Sequence, residues 1–155
     1  MAFALAAGLG PNAIAAEDIV PPDVAYKILT RPQMEKLEAD GRFEGSQQDA
    51  ADGYIHLSTE QQLNRTADSH FSGNTDLFVA SVNVKAAGEK IRWETSPRSG
   101  LIFPHLYGVL DRCLVMSLAP LRRDDRGRVV LDARSEPSAD SGRGSGARGC
   151  APTGE

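Results

Sequence analysis

Three short segments of the chain each carry two polar side chains, of types that take part in catalysis, spaced two residues apart. The pairs are His56 and Ser58, Arg92 and Glu94, and His105 and Tyr107. Residues i and i+2 of a β-strand point to the same face, so each pair stands side by side if its segment is a strand. If the three faces converge, they form a cleft with two imidazoles, a phenol, a hydroxyl, a guanidinium and a carboxylate. Such a set suits acid–base chemistry and the binding of an anionic ligand.

The first of these pairs lies where a strand is predicted to run directly into a helix. Residues 52–60 read DGYIHLSTE, a pattern that predicts a turn, a short strand and an immediate helix start. The unpaired N–H groups and the dipole of a helix N-terminus favour phosphate. Ser58 and Thr59 are therefore predicted to lie near a bound anion, although a helix cap is the simpler explanation for Thr59.

Each of these polar residues also has an ordinary structural explanation. Arg92 and Glu94 fit an exposed ion pair that contributes little, and His105 fits a hydrogen bond to backbone at a bend. A metal centre formed by His56, Glu94 and His105 breaks no spacing rule, but no local ligand motif supports it, so no metal is expected. His70, at the end of a predicted helix, is assigned a structural role.

The composition fits one globular domain without a membrane-spanning segment. The chain has 155 residues, of which 41% are apolar, and no apolar run approaches the length that crosses a bilayer. Residues 1–121 carry 10 Lys and Arg against 15 Asp and Glu. An acidic body argues against nucleic acid as a partner, because phosphate backbones bind to basic surfaces. Neither nucleic acid nor a membrane is expected as a partner, and the oligomeric state stays open.

The two ends of the chain differ in composition from the segment between them. Residues 1–24 are predicted to be a disordered extension, and Ala13-Ile14-Ala15-Ala16 resembles the cleavage site of an export signal. No Lys or Arg precedes the apolar part of that extension, so a cytoplasmic location is expected. Residues 122–155 are rich in Gly, Ser and Arg and are predicted to form a disordered tail. This places a single domain at residues 25–121.

Local patterns within that segment predict an α+β domain. Strands are expected at residues 25–29, 54–58, 77–84, 90–94, 101–110 and 113–121. Residues 77–84 are apolar on both faces, which predicts a central strand. Helices are expected after capping boxes that begin at Thr30 and Thr59, with Gly41 ending the first of them. Residues 46–53 are polar and are predicted to be a loop, and Cys113 is predicted to be a small buried apolar residue.

Four segments of the chain together form a recognisable pattern. They are residues 53–59 (GYIHLST), Asp76-Leu77 at the start of an apolar strand, Arg92-Trp93-Glu94, and residues 103–108 (FPHLYG). This pattern resembles the bacterial "domain of unknown function 952" family over about residues 25–121. That family is similar in fold to the ADP-ribosyltransferases. The resemblance therefore implies a small split, antiparallel-rich β-sheet with two or three helices and NAD as the ligand.

The resemblance also implies which residues bind the ligand. They are His56, which would anchor the adenosine ribose, with Ser58 and Thr59 near the ligand. Arg92 is a further candidate for binding because of its place in the predicted cleft. Glu94, His105 and Tyr107 are the candidates for the rest of the cleft and for catalysis, of which His105 has no counterpart in the triad of that superfamily. In ADP-ribosyltransferases a glutamate bonds the ribose 2′-hydroxyl while positive charge develops at the anomeric carbon. A carboxylate in that place stabilises the transition state more than the ground state.

The expected function is that of an NAD-binding enzyme that transfers or hydrolyses at the ribosyl centre. Two alternatives use the same residues. One is a non-enzymatic module that binds a nucleotide or another small ligand, and the other is a metal-dependent hydrolase built on His and Glu.

Overall fold

The computed structural model describes residues 20–131 of the chain. The segment that resembles an export signal, and the predicted disorder of residues 1–19 and 132–155, lie outside the described residues.

Two three-stranded antiparallel sheets form the frame of the domain. The first sheet has the order β1 (Val24–Thr30), β4 (Leu77–Asn83), β8 (Val115–Pro120). The second has the order β3 (Ile55–His56), β6 (Ile102–Leu106), β5 (Ile91–Thr95). Two short antiparallel pairs join β2 (Arg42–Phe43) to β7 (Leu110–Asp111) and β9 (Arg122–Arg123) to β10 (Val129–Val130). This is the α+β class with antiparallel sheets that the sequence predicted.

Four α-helices lie in the described part of the chain, against two or three expected. They are α1 (Arg31–Asp40), α2 (Gln47–Asp52), α3 (Leu63–His70) and α4 (Val84–Ala87). The prediction for α1 is confirmed: the Gln33 side chain accepts a hydrogen bond of 2.9 Å from the Thr30 N–H, and Gly41 ends the helix at φ 72°. None of the helices between residues 20 and 131 combines the length and apolar character needed to cross a bilayer.

The predicted loop at residues 46–53 is wrong, because α2 occupies most of it. Ser46 and Asp49 form a reciprocal cap: the Asp49 N–H donates to Ser46 Oγ over 3.1 Å, and the Ser46 N–H donates to Asp49 Oδ2 over 2.8 Å. Gly53 ends the helix in the left-handed conformation at φ 85°. The buried residue of α2 is a carboxylate, Asp49, so the helix has no apolar stripe for a sequence pattern to detect.

The main hydrophobic core lies beneath both three-stranded sheets. Strand β4 pairs on both sides and its first six residues are buried, which confirms the predicted central strand. The largest core residues with essentially no exposure are Leu29, Leu37, Ile55, Leu57, Leu106 and Leu110. Tyr26 and Ser58 exchange two backbone hydrogen bonds of 2.8 Å each, which connect strand β1 to the chain just after β3. This backbone bridge links the two sheets.

A second, smaller core lies under helix α3, and the chain beyond residue 121 helps to cover it. Ile28, Leu63, Ala67 and Leu77 are buried there, and Val129 and Leu131 pack against them. Disorder was expected from residue 122 onward, whereas residues 122–131 contain the paired strands β9 and β10. The Val129 N–H donates to the Asn64 side chain, and Arg123 pairs with Asp68 over 2.9 Å.

Cys113 lies in the turn Arg112–Leu114 that precedes β8. The prediction that it is buried is wrong, because its side chain is exposed. The neighbouring Leu114 takes the core position instead, with 3% of its surface exposed.

Candidate functional site

Polar and aromatic side chains from all three strands meet on one face of the second sheet. In the register of this sheet, His105 of β6 is paired with His56 on one side and with Arg92 on the other. Directly paired residues of an antiparallel sheet share a face, so these three side chains form a row across it. Glu94 lies two residues after Arg92 on β5 and points the same way, and Tyr107, just past the end of β6, contacts Glu94 on this face. The structure therefore brings five of the seven predicted site residues together.

Four rings pack against each other in this site, and we call them the ring cluster: Tyr54, His56, His105 and Tyr107. Tyr54 stacks on His105 with ring centroids 4.1 Å apart and planes 18° from parallel. The Tyr54 ring also lies 4.9 Å from His56 and 5.3 Å from Tyr107. The two imidazoles meet edge to face at 5.5 Å. Tyr54 is thus the ring that contacts all the others.

The Glu94 carboxylate is held by two donors, one from strand β6 and one from the residue just after it. His105 Nδ1 lies 2.8 Å from Oε2, and the Tyr107 hydroxyl donates to both carboxylate oxygens over 3.0 and 3.1 Å. The hydrogen bond from His105 is the main cause that lowers the pKa of Glu94, and the bond from Tyr107 and the charge of Arg92 act in the same direction against partial burial. His105 is buried, but the Glu94 side chain is 38% exposed. The site therefore presents a fixed, ionised carboxylate to the solvent.

The Arg92 side chain stacks on the Tyr107 ring. Its guanidinium carbon lies 4.3 Å from the centroid of the Tyr107 ring, within the range of a cation–π contact. The pKa of Tyr107 is raised, first by loss of hydration and then by its bond to the Glu94 carboxylate. The phenol accordingly keeps its proton and acts as a donor to Glu94.

His56 is bound to a buried ion pair on the opposite side of the site. His56 Nδ1 lies 2.7 Å from Asp49 Oδ1, and the Lys27 ammonium lies 2.9 Å from Asp49 Oδ2. Burial alone raises the pKa of Asp49, but the hydrogen bond from His56, the charge of Lys27 and two backbone N–H donors outweigh burial and hold this pKa far below its usual range. Burial lowers the pKa of Lys27 against the opposing effect of Asp49. The other ring nitrogen of His56, Nε2, lies 3.1 Å from the partly exposed Asp52.

Ser58 and Thr59 are not part of this arrangement. The Ser58 hydroxyl is buried and bonds to the Thr66 hydroxyl of α3 over 2.9 Å. The Thr59 N–H donates to the Gln62 side chain over 3.0 Å, as expected for a helix cap. Strand β3 ends at His56, and Ser58 pairs with Tyr26 of the first sheet, so the rule of alternating faces no longer holds across this interval. His70 is the last residue of α3, as predicted.

Four residues of the site were not predicted from the sequence: Lys27, Asp49, Asp52 and Tyr54. Tyr54 stands two residues before His56, so the spacing rule used for the other pairs also applies to it. Lys27 is a charged residue inside an otherwise apolar strand, which signals a buried partner. Asp49 sits three residues after Ser46, in the pattern of a capping box. Its contacts with Lys27 and His56 span 22 and 7 residues of sequence, and no local pattern reveals them.

The ring nitrogens of this site face carboxylates rather than an open coordination centre. Within residues 20–131, no group of three or more His, Cys, Asp and Glu side chains is arranged to hold a metal ion. His56 directs both nitrogens at aspartates, and His105 directs Nδ1 at Glu94. The alternative of a metal-dependent hydrolase therefore gains no support from this geometry.

Comparison with known proteins identifies the family. Residues 28–118, more than half of the chain, match the family described as "Protein of unknown function (DUF952)". The chain belongs to this family. The family resemblance expected from the four sequence segments is thereby confirmed, and the ring cluster, Glu94 and Arg92 all lie within the matched DUF952 region.

Solved structures of another protein resemble this DUF952 domain. The crystal structure of protein CC0527 from Caulobacter crescentus is 42% identical, covers 70% of this chain and 94% of that chain, and has a TM-score of 0.63. The solution NMR structure of CC0527 is also 42% identical, covers 69% and 91% of the two chains, and has a TM-score of 0.61. Among curated proteins, none matches the chain significantly. The likeness to ADP-ribosyltransferases stays a prediction.

Proposed function

We propose that this domain binds an NAD-type nucleotide at the ring cluster and acts at the ribosyl centre of that ligand. The observation that supports this most is the state of Glu94. Its carboxylate is ionised, partly open to solvent and fixed in orientation by His105 and Tyr107. A carboxylate that only stabilised the sheet would need neither two ring donors nor an open side.

The chemistry of ribosyl transfer uses a carboxylate of this kind. The bond between the anomeric carbon and the nicotinamide nitrogen breaks, and its electron pair goes to that nitrogen. Positive charge then develops on the ribose, as in glycoside hydrolysis. An acceptor hydroxyl or water forms the new bond to the anomeric carbon and loses its proton. A fixed negative charge near the ribose stabilises this transition state without having to reorganise.

Other groups of the site suit the remaining parts of a dinucleotide. The partly exposed rings of Tyr54 and Tyr107 offer an aromatic surface for a flat base. The Arg92 guanidinium is held by stacking while its N–H groups can bond to phosphate oxygens. His56 stands beside Tyr54, where it can meet a ribose hydroxyl.

The first test measures binding and turnover on the purified protein. Titration with NAD and with ADP-ribose by calorimetry is expected to show binding at or below millimolar concentration, weakened by His56→Ala. Long incubation with NAD, followed by chromatography, is expected to show free nicotinamide. If neither ligand binds at millimolar concentration, or if His56→Ala leaves binding unchanged, the proposal fails. Binding without any nicotinamide release would instead identify a non-enzymatic nucleotide-binding module.

A matched pair of substitutions tests the role of Glu94. Glu94→Gln is expected to lower nicotinamide release by about a hundredfold, because the amide lacks the negative charge that stabilises the transition state. Glu38→Gln is the control: Glu38 is also partly exposed and also bonded, to Arg112 over 2.7 Å, but it lies on α1. The control should keep wild-type turnover. Equal rates in both variants would remove Glu94 from the reaction.

A further inference from the structure

We propose that Asp49, supported by the buried Lys27, is a positioning residue that holds the His56 imidazole with its proton on Nδ1 and leaves the lone pair on Nε2, at the partly exposed side of the ring beside Asp52. The role of Nε2 toward a ligand rests on the proposed function, and it specifies the chemistry further: Nε2 would accept a proton or hydrogen bond from a ligand hydroxyl, such as that of a ribose. The position of the proton itself is a property of the protein without ligand.

The hydrogen bonds of Asp49 leave little freedom for the ring. Oδ1 accepts from the His56 backbone N–H over 3.0 Å and faces His56 Nδ1 at 2.7 Å. Oδ2 accepts from the Lys27 ammonium over 2.9 Å and from the Ser46 N–H over 2.8 Å. An ionised carboxylate can only accept hydrogen bonds, so the ring nitrogen beside it must carry the proton. The partner of one imidazole nitrogen determines the state of the other, which leaves the lone pair of the neutral ring on Nε2.

Lys27 explains how this carboxylate stays charged while buried. Asp49 is 3% exposed and Lys27 is 7% exposed. A buried carboxylate without a cation is strongly disfavoured and takes up a proton. Lys27 belongs to β1 of the first sheet, whereas Asp49 belongs to α2 beside the second sheet. A carboxylate that served only to cap α2 would need neither this lysine nor the imidazole.

The groups that face His56 from its neighbouring elements are Asp49 and Asp52 of α2, Tyr54 before β3, and His105 of β6. Asp52 lies 3.1 Å from Nε2, so in the protonated ring both N–H groups have an acceptor. In the neutral ring the proton stays at Nδ1, because Asp49 is closer and buried. Asp52 is the last residue of α2 and partly exposed, and its Oδ2 also accepts from the Gln48 side chain over 2.8 Å, so a ligand hydroxyl would reach Nε2 by displacing this carboxylate.

The experiment is an NMR measurement of the histidine tautomer in the ligand-free protein labelled with ¹⁵N. Two-bond ¹H–¹⁵N spectra are recorded at a pH where the ring shifts have stopped changing, and His56 is assigned with His56→Gln. The Nδ1–H form of His56 is expected to dominate by about tenfold or more, the factor that a charge-assisted hydrogen bond supplies. A dominant Nε2–H form in the wild-type protein would overturn the proposal, whatever the variants show.

Two variants separate positioning from a merely structural role. In Asp49→Asn the amide oxygen should turn to the Lys27 ammonium, which places the NH₂ group against His56 Nδ1 and reverses the tautomer to Nε2–H. Asp52→Asn, at the other ring nitrogen, should keep the wild-type Nδ1–H form. If Asp49→Asn folds and keeps Nδ1–H, Asp49 does not position the ring. If it does not fold, the wild-type spectrum decides.

The outcome is independent of the proposed function. An Nδ1–H ring in a protein that binds no NAD would refute the proposed function alone. An Nε2–H ring in a protein that binds NAD would refute the positioning role alone.

Discussion

The orientation of the His56 side chain depends on a buried ion pair between two residues that are distant in sequence. Lys27 and Asp49 lie 22 residues apart and meet at 2.9 Å with almost no exposure. Breaking a buried pair on one side leaves an uncompensated charge, which is far more destabilising than the loss of a surface pair. The orientation of His56 and the stability of the fold therefore share one interaction.

A double-mutant cycle on Lys27 and Asp49 measures how much their contact contributes to the free energy of unfolding. Lys27→Met and Asp49→Asn are each expected to lower the free energy of unfolding by about 3 kcal/mol, because each leaves the other charge buried without the opposite charge of the pair. The double variant should lose less than the sum of the two, by about 1 kcal/mol or more. Urea unfolding followed by circular dichroism measures all four free energies.

The exposed pair of Lys36 and Asp40 on α1 is the matched control for this cycle. Its atoms are as close, at 2.6 Å, but both side chains are about half exposed. Lys36→Met and Asp40→Asn should leave unfolding close to that of the wild type and show no coupling. Additive losses at Lys27 and Asp49 would mean that their contact contributes no specific stability.

Helices and strands that carry a regular pattern of buried apolar residues were predictable from the sequence, and those held by polar contacts were not. Helix α1 and strand β4 carry their signals locally, in a cap, a glycine stop and an apolar run. Helix α2 has a capping pattern in its sequence but no apolar face, because its buried residue is a carboxylate. The C-terminal strands were missed for a related reason: Val129 to Leu131 is a run of only three apolar residues in a polar segment, and the small core under α3 on which they pack is assembled from distant parts of the chain.

The contribution of this C-terminal segment can be measured with two adjacent valines. Val129 packs against the small core under α3, while its neighbour Val130 is 41% exposed. Val129→Ala is expected to lower the free energy of unfolding by about 1 kcal/mol, since it removes two partly buried methyl groups. Val130→Ala should have no measurable effect in the same thermal or urea unfolding experiment. Equal effects in both variants would show that the segment does not pack on α3 in solution.

At the scale of the whole molecule, the site exists because the second sheet aligns strand β3 with the consecutive strands β5 and β6, which lie much later in the sequence. The spacing of polar residues at i and i+2 predicted which side chains share a face within Arg92 to Glu94 and within His105 to Tyr107. The pairing of His105 with both His56 and Arg92 is a property of strand order, which local patterns do not contain. The same limit explains why Ser58 was misplaced, since its partner strand is β1 of the other sheet.

The stability of the whole molecule at low pH depends on the carboxylates of the site. The pKa of Asp49 is strongly lowered in the folded protein, and that of Glu94 is lowered as well. The unfolded chain therefore binds more protons than the folded one around pH 4, so the stability that these carboxylates contribute is present at neutral pH and is lost as pH falls below about 4. Asp49→Asn should reduce this loss, which would be seen as a smaller fall of the urea midpoint between about pH 7 and pH 3.

Asp76→Asn is the control. It removes an exposed carboxylate paired with Arg31 over 2.7 Å and should keep most of the wild-type fall of the urea midpoint. Parallel pH profiles for wild type and Asp49→Asn would show that Asp49 is not held ionised by Lys27 and His56.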